Sequence, residues 1–208
     1  MNNYHGKLTV YTDGGILSIV DTASYNRTLN FQNIWTWSEL NKFILEINQG
    51  NLIAFQTSWE DEWTFGILIN KTSDRAYVKK FEQNIIVTSQ MLHLVNWTDL
   101  TSSLQFENAE LPDEGNKDLN IKLPNGNYLV VVKQLFSDDN EDYDPTEHDV
   151  NYIIELIHQD NTTYKLHPST RINWSIDFPN DDTLFLDNNP NELDDFIMNL
   201  INKDKNSQ

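Results

Sequence analysis

The chain has 208 residues with 32 Asp and Glu against 14 Lys and Arg, which gives a formal net charge of −18. A surface this negative repels nucleic acid and anionic membranes, so we expect neither as a partner, and it attracts basic proteins or divalent cations. The absence of cysteine excludes disulfides, zinc–thiolate centres and thiol nucleophiles. The 6 Trp, 8 Tyr and 10 Phe exclude a disordered acidic tail, because they supply large apolar surfaces.

The first residues lack the charged-then-apolar pattern of a signal peptide. No apolar run approaches the roughly 20 residues that span a bilayer. We therefore predict a cytoplasmic location, and we do not interpret the Asn-x-Ser/Thr triplets of this Asn-rich chain as glycosylation sites.

The first predicted element is a β-hairpin. Two short apolar runs, residues 8–11 and 16–20, flank the sequence Asp13-Gly14-Gly15. Asp followed by Gly between such runs favours a type I′ turn, which needs positive φ at both central positions. We assign Asp13 to this turn rather than to catalysis.

A helix is predicted next, over residues 36–50. Thr36 and Glu39 have the spacing of a capping box, and Gly50 suits a left-handed C-cap. Apolar residues at helical spacing form one face: Leu40, Phe43, Ile44 and Ile47. Residues 52–57 and 63–69 then predict two strands, joined by a short acidic connection.

In the second half, residues 119–123 alternate like a half-buried strand, and Pro124 and Gly126 predict a turn after it. Residues 128–135 are rich in β-formers, and we expect residues 152–157 to pair with them. A longer acidic segment, residues 137–149, separates these two strands. The polar stretch that begins at residue 97 replaces the helix of the first half.

The two halves resemble each other. Residues 9–21 align with 84–96, residues 50–55 with 126–131, and residues 63–69 with 151–157. We therefore predict a tandem duplication, with a first β unit at residues 1–81 and a second at residues 82–208. The fold class is mainly β (α+β), with tandem antiparallel β-sandwich-like units, one inserted helix and a C-terminal helix. That last helix, residues 189–201, follows the N-cap and first-turn pair Asn189-Pro190.

No sequence pattern indicates a nucleophile, a phosphate loop or histidine metal ligands, and we predict no metal ion and no cofactor. Asp138, Asn140, Asp142, Asp144 and Asp149 do fall at ligand positions of a twelve-residue calcium loop. Tyr143 replaces the glycine of that loop, and strands rather than helices flank it. A calcium- or carboxylate-dependent enzyme acting on a neutral substrate such as a saccharide is therefore the alternative function.

The two acidic connections occupy equivalent places in the proposed repeat. We predict that they bind a basic protein, because negative potential steers a cationic surface and neighbouring aromatic rings can contact Lys or Arg. Both Trp rings of the first connection have a second interpretation, in which they face the core. The predicted partner-binding residues are Trp59, Glu60, Asp61, Glu62, Trp63, Asp138, Asp139, Glu141, Asp142, Tyr143, Asp144 and Glu147.

The second half resembles small bacterial inhibitor and immunity proteins, in particular the competence-associated nuclease inhibitors. The pattern is Leu119-x-Ile121-x-Leu123-Pro124-x-Gly126-x-Tyr128-Leu129, an acidic connection, then Tyr152-Ile153-Ile154. The resemblance covers about 40 residues of a generic Pro-Gly hairpin, so no functional residue is carried over. It implies a toxin- or nuclease-blocking role. Together with the charge, it predicts a non-enzymatic protein that neutralises a basic toxin or nuclease.

Overall fold

A computed structural model describes residues 4–12, 14–25, 43–44, 46–106, 108–160, 169 and 172–174. One α-helix, α1, spans Trp97–Gln105, and two short 3₁₀ helices, η1 and η2, span Glu114–Asn116 and Pro145–Glu147. Residues 43–44 and 46–48 are also helical. The strands are β1 (Gly6–Tyr11), β2 (Ile16–Val20), β3 (Leu52–Gln56), β4 (Glu62–Ile69), β5 (Lys79–Val87), β6 (Met91–Asn96), β7 (Asn120–Lys122), β8 (Gly126–Gln134) and β9 (Tyr152–Gln159).

The strands form two sheets. One has the order β1-β4-β9-β8-β5, and the other has the order β3-β2-β6-β7. The mainly β prediction is confirmed, and β8 pairs with β9 as expected. The sheets are not wholly antiparallel, however, because β4 and β9 are parallel neighbours. Parallel strands need a long crossover, and here the chain from β5 to β8 supplies it.

The core lies between the two sheets. Alternate side chains of each strand point inward, since successive residues of a strand face opposite sides. The five-stranded sheet contributes Trp63, Phe65, Ile67, Tyr128, Val130, Tyr152, Ile154 and Leu156, and the four-stranded sheet contributes Leu17, Ile19, Ile53, Phe55, Leu92 and Leu94. Full burial of one such side chain is worth about 1.5–3 kcal/mol, so this layer is the main stabilising feature.

The predicted hairpin is wrong in one respect, because β1 and β2 lie in different sheets. Gly14 and Gly15 do have positive φ angles of 61° and 64°, while Asp13 lies outside the described residues. The burial of the two strands explains the difference. All five residues of β2 are buried, so β2 takes an interior position between β3 and β6, whereas β1 alternates and takes an edge.

The Pro124–Gly126 turn is also not a hairpin, because it joins β7 of one sheet to β8 of the other. Gly126 has a φ of 150°, and the Tyr128 hydroxyl donates to the Pro124 carbonyl at 2.9 Å. A turn sequence specifies a chain reversal but not the sheet that the next strand joins.

Helix α1 occupies a part of the second half in which the sequence analysis predicted no helix. The Asn96 side chain caps it by accepting from the Asp99 amide at 2.9 Å. Leu100 and Leu104, four residues apart, are buried. Asparagine at the N-cap and the Leu spacing were the available signals.

Each sheet combines strands from both predicted units, and the boundary at residue 81 falls inside β5. The aligned segments 50–55 and 126–131 contain β3 and β8, which lie in different sheets. The duplication and the division at residue 81 therefore remain predictions.

The predicted helix of residues 36–50 is described only near its end, where Gly50 has a φ of 77° and its amide donates to the Ile47 carbonyl at 3.1 Å. The predicted helix of residues 189–201 lies outside the described residues. Among the described helices, none has the length and apolar character needed to cross a membrane.

Candidate protein-binding site

Three connections meet at one end of the sandwich. The Thr12 amide, before the β1–β2 turn, donates to the Asp61 carbonyl at 2.9 Å, and the Thr57 amide donates to the Gly15 carbonyl at 2.7 Å. The Ser58 hydroxyl donates to the carboxylate of Asp138, which begins the β8–β9 connection. The structure thus brings the two predicted acidic connections together.

We call the carboxylates of this end the acidic tip. Its members are Glu60, Asp61, Glu62, Asp138, Asp139, Glu141, Asp142, Asp144 and Glu147. The two connections are not equivalent, contrary to the sequence alignment. The first crosses from β3 in the four-stranded sheet to β4 in the five-stranded sheet, and the second joins β8 and β9 within one sheet.

An aromatic cluster supports the acidic tip from below. Trp63 is fully buried and stacks on Phe136, with ring centroids 5.0 Å apart. Trp59 is half-buried, and its ring centroid lies 5.0 Å from that of Trp63. The Tyr143 ring stacks on the rings of Phe136 and His148, with centroid distances of 4.2 Å and 4.5 Å. Trp63 therefore faces the core, whereas Trp59 and Tyr143 keep part of their surface exposed.

The first connection uses part of its charge internally. Glu60 Oε1 accepts from the Gly14 amide at 2.8 Å. Asp61 Oδ2 accepts from the Trp59 indole nitrogen at 3.0 Å, and its Oδ1 accepts from the Glu62 amide at 2.7 Å. These bonds hold the connection in one conformation, because each carboxylate satisfies an amide or indole donor.

Asp138 fixes the start of the second connection. Its carboxylate accepts from Lys79 Nζ at 2.7 Å and from Gln134 Nε2 at 2.5 Å, as well as from Ser58. Burial acts to raise the pKa of Asp138, but these hydrogen bonds and the Lys79 charge outweigh it and lower the pKa. Asp138 is therefore ionised and committed to the fold at neutral pH.

Asp144 and Tyr143 order the middle of that connection. Asp144 caps η2, since its Oδ1 accepts from the Thr146 hydroxyl at 2.6 Å and from the Thr146 amide at 2.8 Å, and these bonds lower its pKa. The Tyr143 hydroxyl accepts from Asn151 Nδ2 at 3.0 Å, while burial raises the pKa of Tyr143.

Five carboxylates of the acidic tip have neither a salt bridge nor a hydrogen bond within the part of the chain that the structure describes. They are Glu62, Asp139, Glu141, Asp142 and Glu147, and all five are exposed. Their charges therefore project a negative potential into solvent.

Tyr11 is a surface residue of this end that the sequence analysis did not select. It is the last residue of β1, lies opposite Glu62 in the β1–β4 register, and is 57% exposed. The signal was available, because Leu8 and Val10 are the inward positions of β1 and Tyr11 must then point outward.

The predicted calcium-loop residues do not converge. Asp138 pairs with Lys79 of β5, and Asp149 pairs with Lys7 of β1. Asp144 caps η2. Across the described residues, no group of three or more His, Asp or Glu side chains is arranged to hold a metal ion.

Asp21, Glu46, Asp99 and Glu155 are buried carboxylates of the described residues, and the contacts of Asp21 and Glu155 stabilise the fold. At the end of the sandwich opposite the acidic tip, Asp21 accepts from the amides and hydroxyls of Thr88 and Ser89 at 2.5–3.0 Å and from the Ala23 amide at 3.0 Å. Burial acts to raise the pKa of Asp21, but these bonds lower it overall. Glu155 pairs with buried Lys133 at 2.6 Å on the outer face of the five-stranded sheet.

No family model matches this chain, and no curated protein matches it. Two solved structures are similar to it. One is ComJ, an inhibitor of the DNA degrading activity of NucA, from Bacillus subtilis; it has 15% identity and a TM-score of 0.43, over 76% of this chain and 99% of ComJ. The other is titled crocagin biosynthetic gene J and has 13% identity and a TM-score of 0.48, over 74% of this chain and 96% of that one. The structures similar to this chain thus include an inhibitor of the type that its sequence resembles.

Proposed function

We propose that this protein is a non-enzymatic binding protein that neutralises a basic protein, as an immunity protein neutralises a toxin or nuclease. The acidic tip carries the proposal. Five of its carboxylates are exposed and have neither a salt bridge nor a hydrogen bond in the described part of the chain, at an end where the two acidic connections converge. A net charge of −18 makes nucleic acid and anionic membranes poor partners for the same surface.

The internal contacts suit the tip to rapid, specific association. The unpaired carboxylates attract a cationic surface over a distance set by the ionic strength. Beneath them, the bonds of Asp61 and Asp138 and the stacked rings hold both connections in place. A surface that is already ordered loses little conformational entropy on binding, and this raises affinity.

Exposed aromatic surface beside the carboxylates provides the apolar part of the contact. Tyr11 is exposed, while Trp59 and Tyr143 are half-buried. Tyrosine and tryptophan are enriched among residues that dominate binding energy, because they bury much area and keep one polar group. We expect a Lys or Arg of the partner to lie against Tyr11 and pair with Glu62.

The nuclease class follows from the sequence resemblance, and an inhibition assay tests it. NucA is a suitable first probe: its degradation of plasmid DNA should stop at equimolar protein, and its association rate with the protein should fall as salt is raised. A second, cationic nuclease of unrelated sequence shows how general the effect is.

A charge-matched pair of variants distinguishes electrostatic steering by the acidic tip from an effect of the net charge of the whole protein. The triple variant Asp139→Asn, Glu141→Gln, Asp142→Asn should lower the association rate at low salt about tenfold. The control variant Asp74→Asn, Glu114→Gln, Asp118→Asn removes the same charge from exposed positions elsewhere and should change the rate less than about twofold. Equal effects of both triples, or a rate that does not change with salt, would contradict the proposal.

A further inference from the structure

The edge strand β1 lies beside the acidic tip and has a free side. In the described structure β1 pairs only with β4. Lys7, Thr9 and Tyr11 are exposed, and no described strand other than β4 pairs with β1. An open edge strand offers a row of unpaired backbone donors and acceptors, onto which another extended chain can pair.

The β1–β4 register identifies the free backbone groups. The Thr12 amide donates to the opposite residue, Asp61, so Thr12 and every second residue before it bond to β4. The alternate residues Lys7, Thr9 and Tyr11 then direct their N–H and C=O groups away from β4. The closeness of the Thr9 and Thr64 hydroxyls, 3.0 Å apart, fits such a non-hydrogen-bonded pair.

On the opposite side of the sandwich, part of the edge of β3 is covered. There the Gln56 amide donates to the Asn173 carbonyl at 2.8 Å, and the Asn173 amide donates to the Ala54 carbonyl at 3.1 Å. Asn173 Nδ2 also reaches Gln83 Oε1 of β5 at 2.8 Å. Residue 173 therefore covers the edge of β3 and links it to the other sheet.

Between β1 and the facing edge strand β7 runs a groove. Its lining residues are His5, Gly6, Leu8, Ile67, Asn120, Ile121 and Lys122. Leu8, Ile67 and Ile121 give its floor an apolar character. A strand added to β1 would direct alternate side chains into this groove and the others toward the outer face, where Tyr11 and Glu62 lie.

We propose that the occupant of this edge is an extended basic segment of the protein partner, which adds to β1 as an additional strand of the five-stranded sheet. This inference rests on the proposed function, since the charge of the occupant is chosen by the acidic tip. Backbone hydrogen bonds to Lys7, Thr9 and Tyr11 give affinity. A Lys or Arg of the segment placed against Tyr11 and Glu62 sets the orientation of the segment along β1. Apolar side chains between the basic ones fill the groove.

Proline substitution tests the backbone bonds directly. Thr9→Pro removes an outward N–H but no bond to β4, and proline is tolerated on an edge strand at such a position. The probe is a capped nine-residue peptide with Lys at alternate positions and Val or Thr between them. Thr9→Pro should bind it at least tenfold more weakly than the wild type, whereas Thr9→Ala, the matched control that keeps the N–H, should stay within about twofold.

Amide hydrogen exchange gives a readout that does not depend on any variant. In the wild-type protein, the peptide should slow exchange of the Lys7, Thr9 and Tyr11 amides at least tenfold. A Glu-for-Lys peptide and an isomer with a central proline should not slow it.

Strand addition is overturned if Thr9→Pro binds as well as Thr9→Ala, if protection appears only in the acidic tip, or if the Lys peptide does not bind. In each of these cases the salt dependence and the charge-matched triples still decide whether the tip binds a basic protein. Conversely, peptide protection at β1 with equal effects of the two triples would retain the edge site and reject electrostatic neutralisation.

Discussion

The two ends of the sandwich use carboxylates in opposite ways. At one end Asp21 is completely buried and accepts five hydrogen bonds, four of them from the Thr88–Ser89 turn. At the other end, five acidic-tip carboxylates are exposed and have neither a salt bridge nor a hydrogen bond in the described structure. The number of acidic residues therefore does not indicate function. Asp21 differs from these five carboxylates because it has hydrogen-bond donors of its own, whereas a carboxylate without donors remains available to bind a partner.

The largest effect on stability should come from the buried Lys133–Glu155 pair on the outer face of the five-stranded sheet. Glu155, like Asp21, is buried and accepts hydrogen bonds from the rest of the fold. Glu155→Gln leaves the Lys133 charge buried without its partner and should lower the free energy of unfolding by about 3–5 kcal/mol. Urea denaturation measures it. Glu82→Gln, which breaks the exposed pair with Lys80, is the control and should change stability far less, because solvent screens that pair.

A double variant checks that the loss comes from the unpaired charge. Lys133→Met with Glu155→Leu should recover most of the stability, since apolar residues of similar volume often replace a buried pair without loss. A double variant as unstable as Glu155→Gln would show that the bonds of this pair to Ser73, rather than its charges, hold the segment before β5.

Asp21 should have the next largest effect. Asp21→Ala removes the acceptor of the donors in the β5–β6 turn. We expect the free energy of unfolding to fall by about 2 kcal/mol. The loss is limited because water can reach Thr88 and Ser89. Asp142→Ala, at the acidic tip, should change stability by less than about 0.5 kcal/mol. Similar losses for the two variants would remove the distinction between the ends.

The stabilising contribution of Asp21 should also depend on pH. The pKa of Asp21 is lower in the folded protein than in the unfolded chain, where it is about 3.9. Its contribution is therefore complete above that value and is lost as the pH falls through the folded pKa. The acid-induced loss should be smaller in Asp21→Asn than in the wild type, when unfolding is followed from pH 5 downward.

His93 should have the smallest effect on stability, and this effect should appear in a higher pH range than that of Asp21. It lies on β6 near Asp21; burial lowers its pKa, and the Asp21 charge offsets this only in part. The unfolded chain takes up a proton near the ordinary histidine pKa of about 6.5, and the folded protein does so only at lower pH. Stability should therefore decrease as the pH falls from 7 to 5, with a slope below about 1.4 kcal/mol per pH unit. His93→Leu should flatten this slope, and an unchanged slope would contradict the assignment.

Local pattern predicted most of the strands but not the sheet that each one joins. Alternation in β1 and the apolar run of β2 are visible in the sequence, and so is the turn between them. Their separation into two sheets is a non-local outcome, since β2 needs neighbours on both sides and finds them in β3 and in β6, more than 70 residues later. Helix α1 was missed because Thr and Ser interrupt a short helical pattern that packing then stabilises.

For the candidate site, the sequence predicted the charge and proposed Trp59 and Tyr143 as aromatic contacts, but it did not select Tyr11. Trp63 looked suitable because it follows three acidic residues, yet it is an inward position of β4. Tyr11 was overlooked because β1 seemed to end in a hairpin with β2. Only the β1–β4 register places Tyr11 opposite Glu62, and that register joins residues far apart in the chain.

The strand order also sets the course of folding during synthesis. β9, the last of the described strands to leave the ribosome, occupies the centre of the five-stranded sheet between β4 and β8. Until it emerges, the nascent chain holds two separate pairs, β1–β4 and β5–β8, each with an inner edge uncovered. Loops that must close over such long separations slow folding. A chain stalled before residue 152 should therefore need a chaperone to remain free of aggregates.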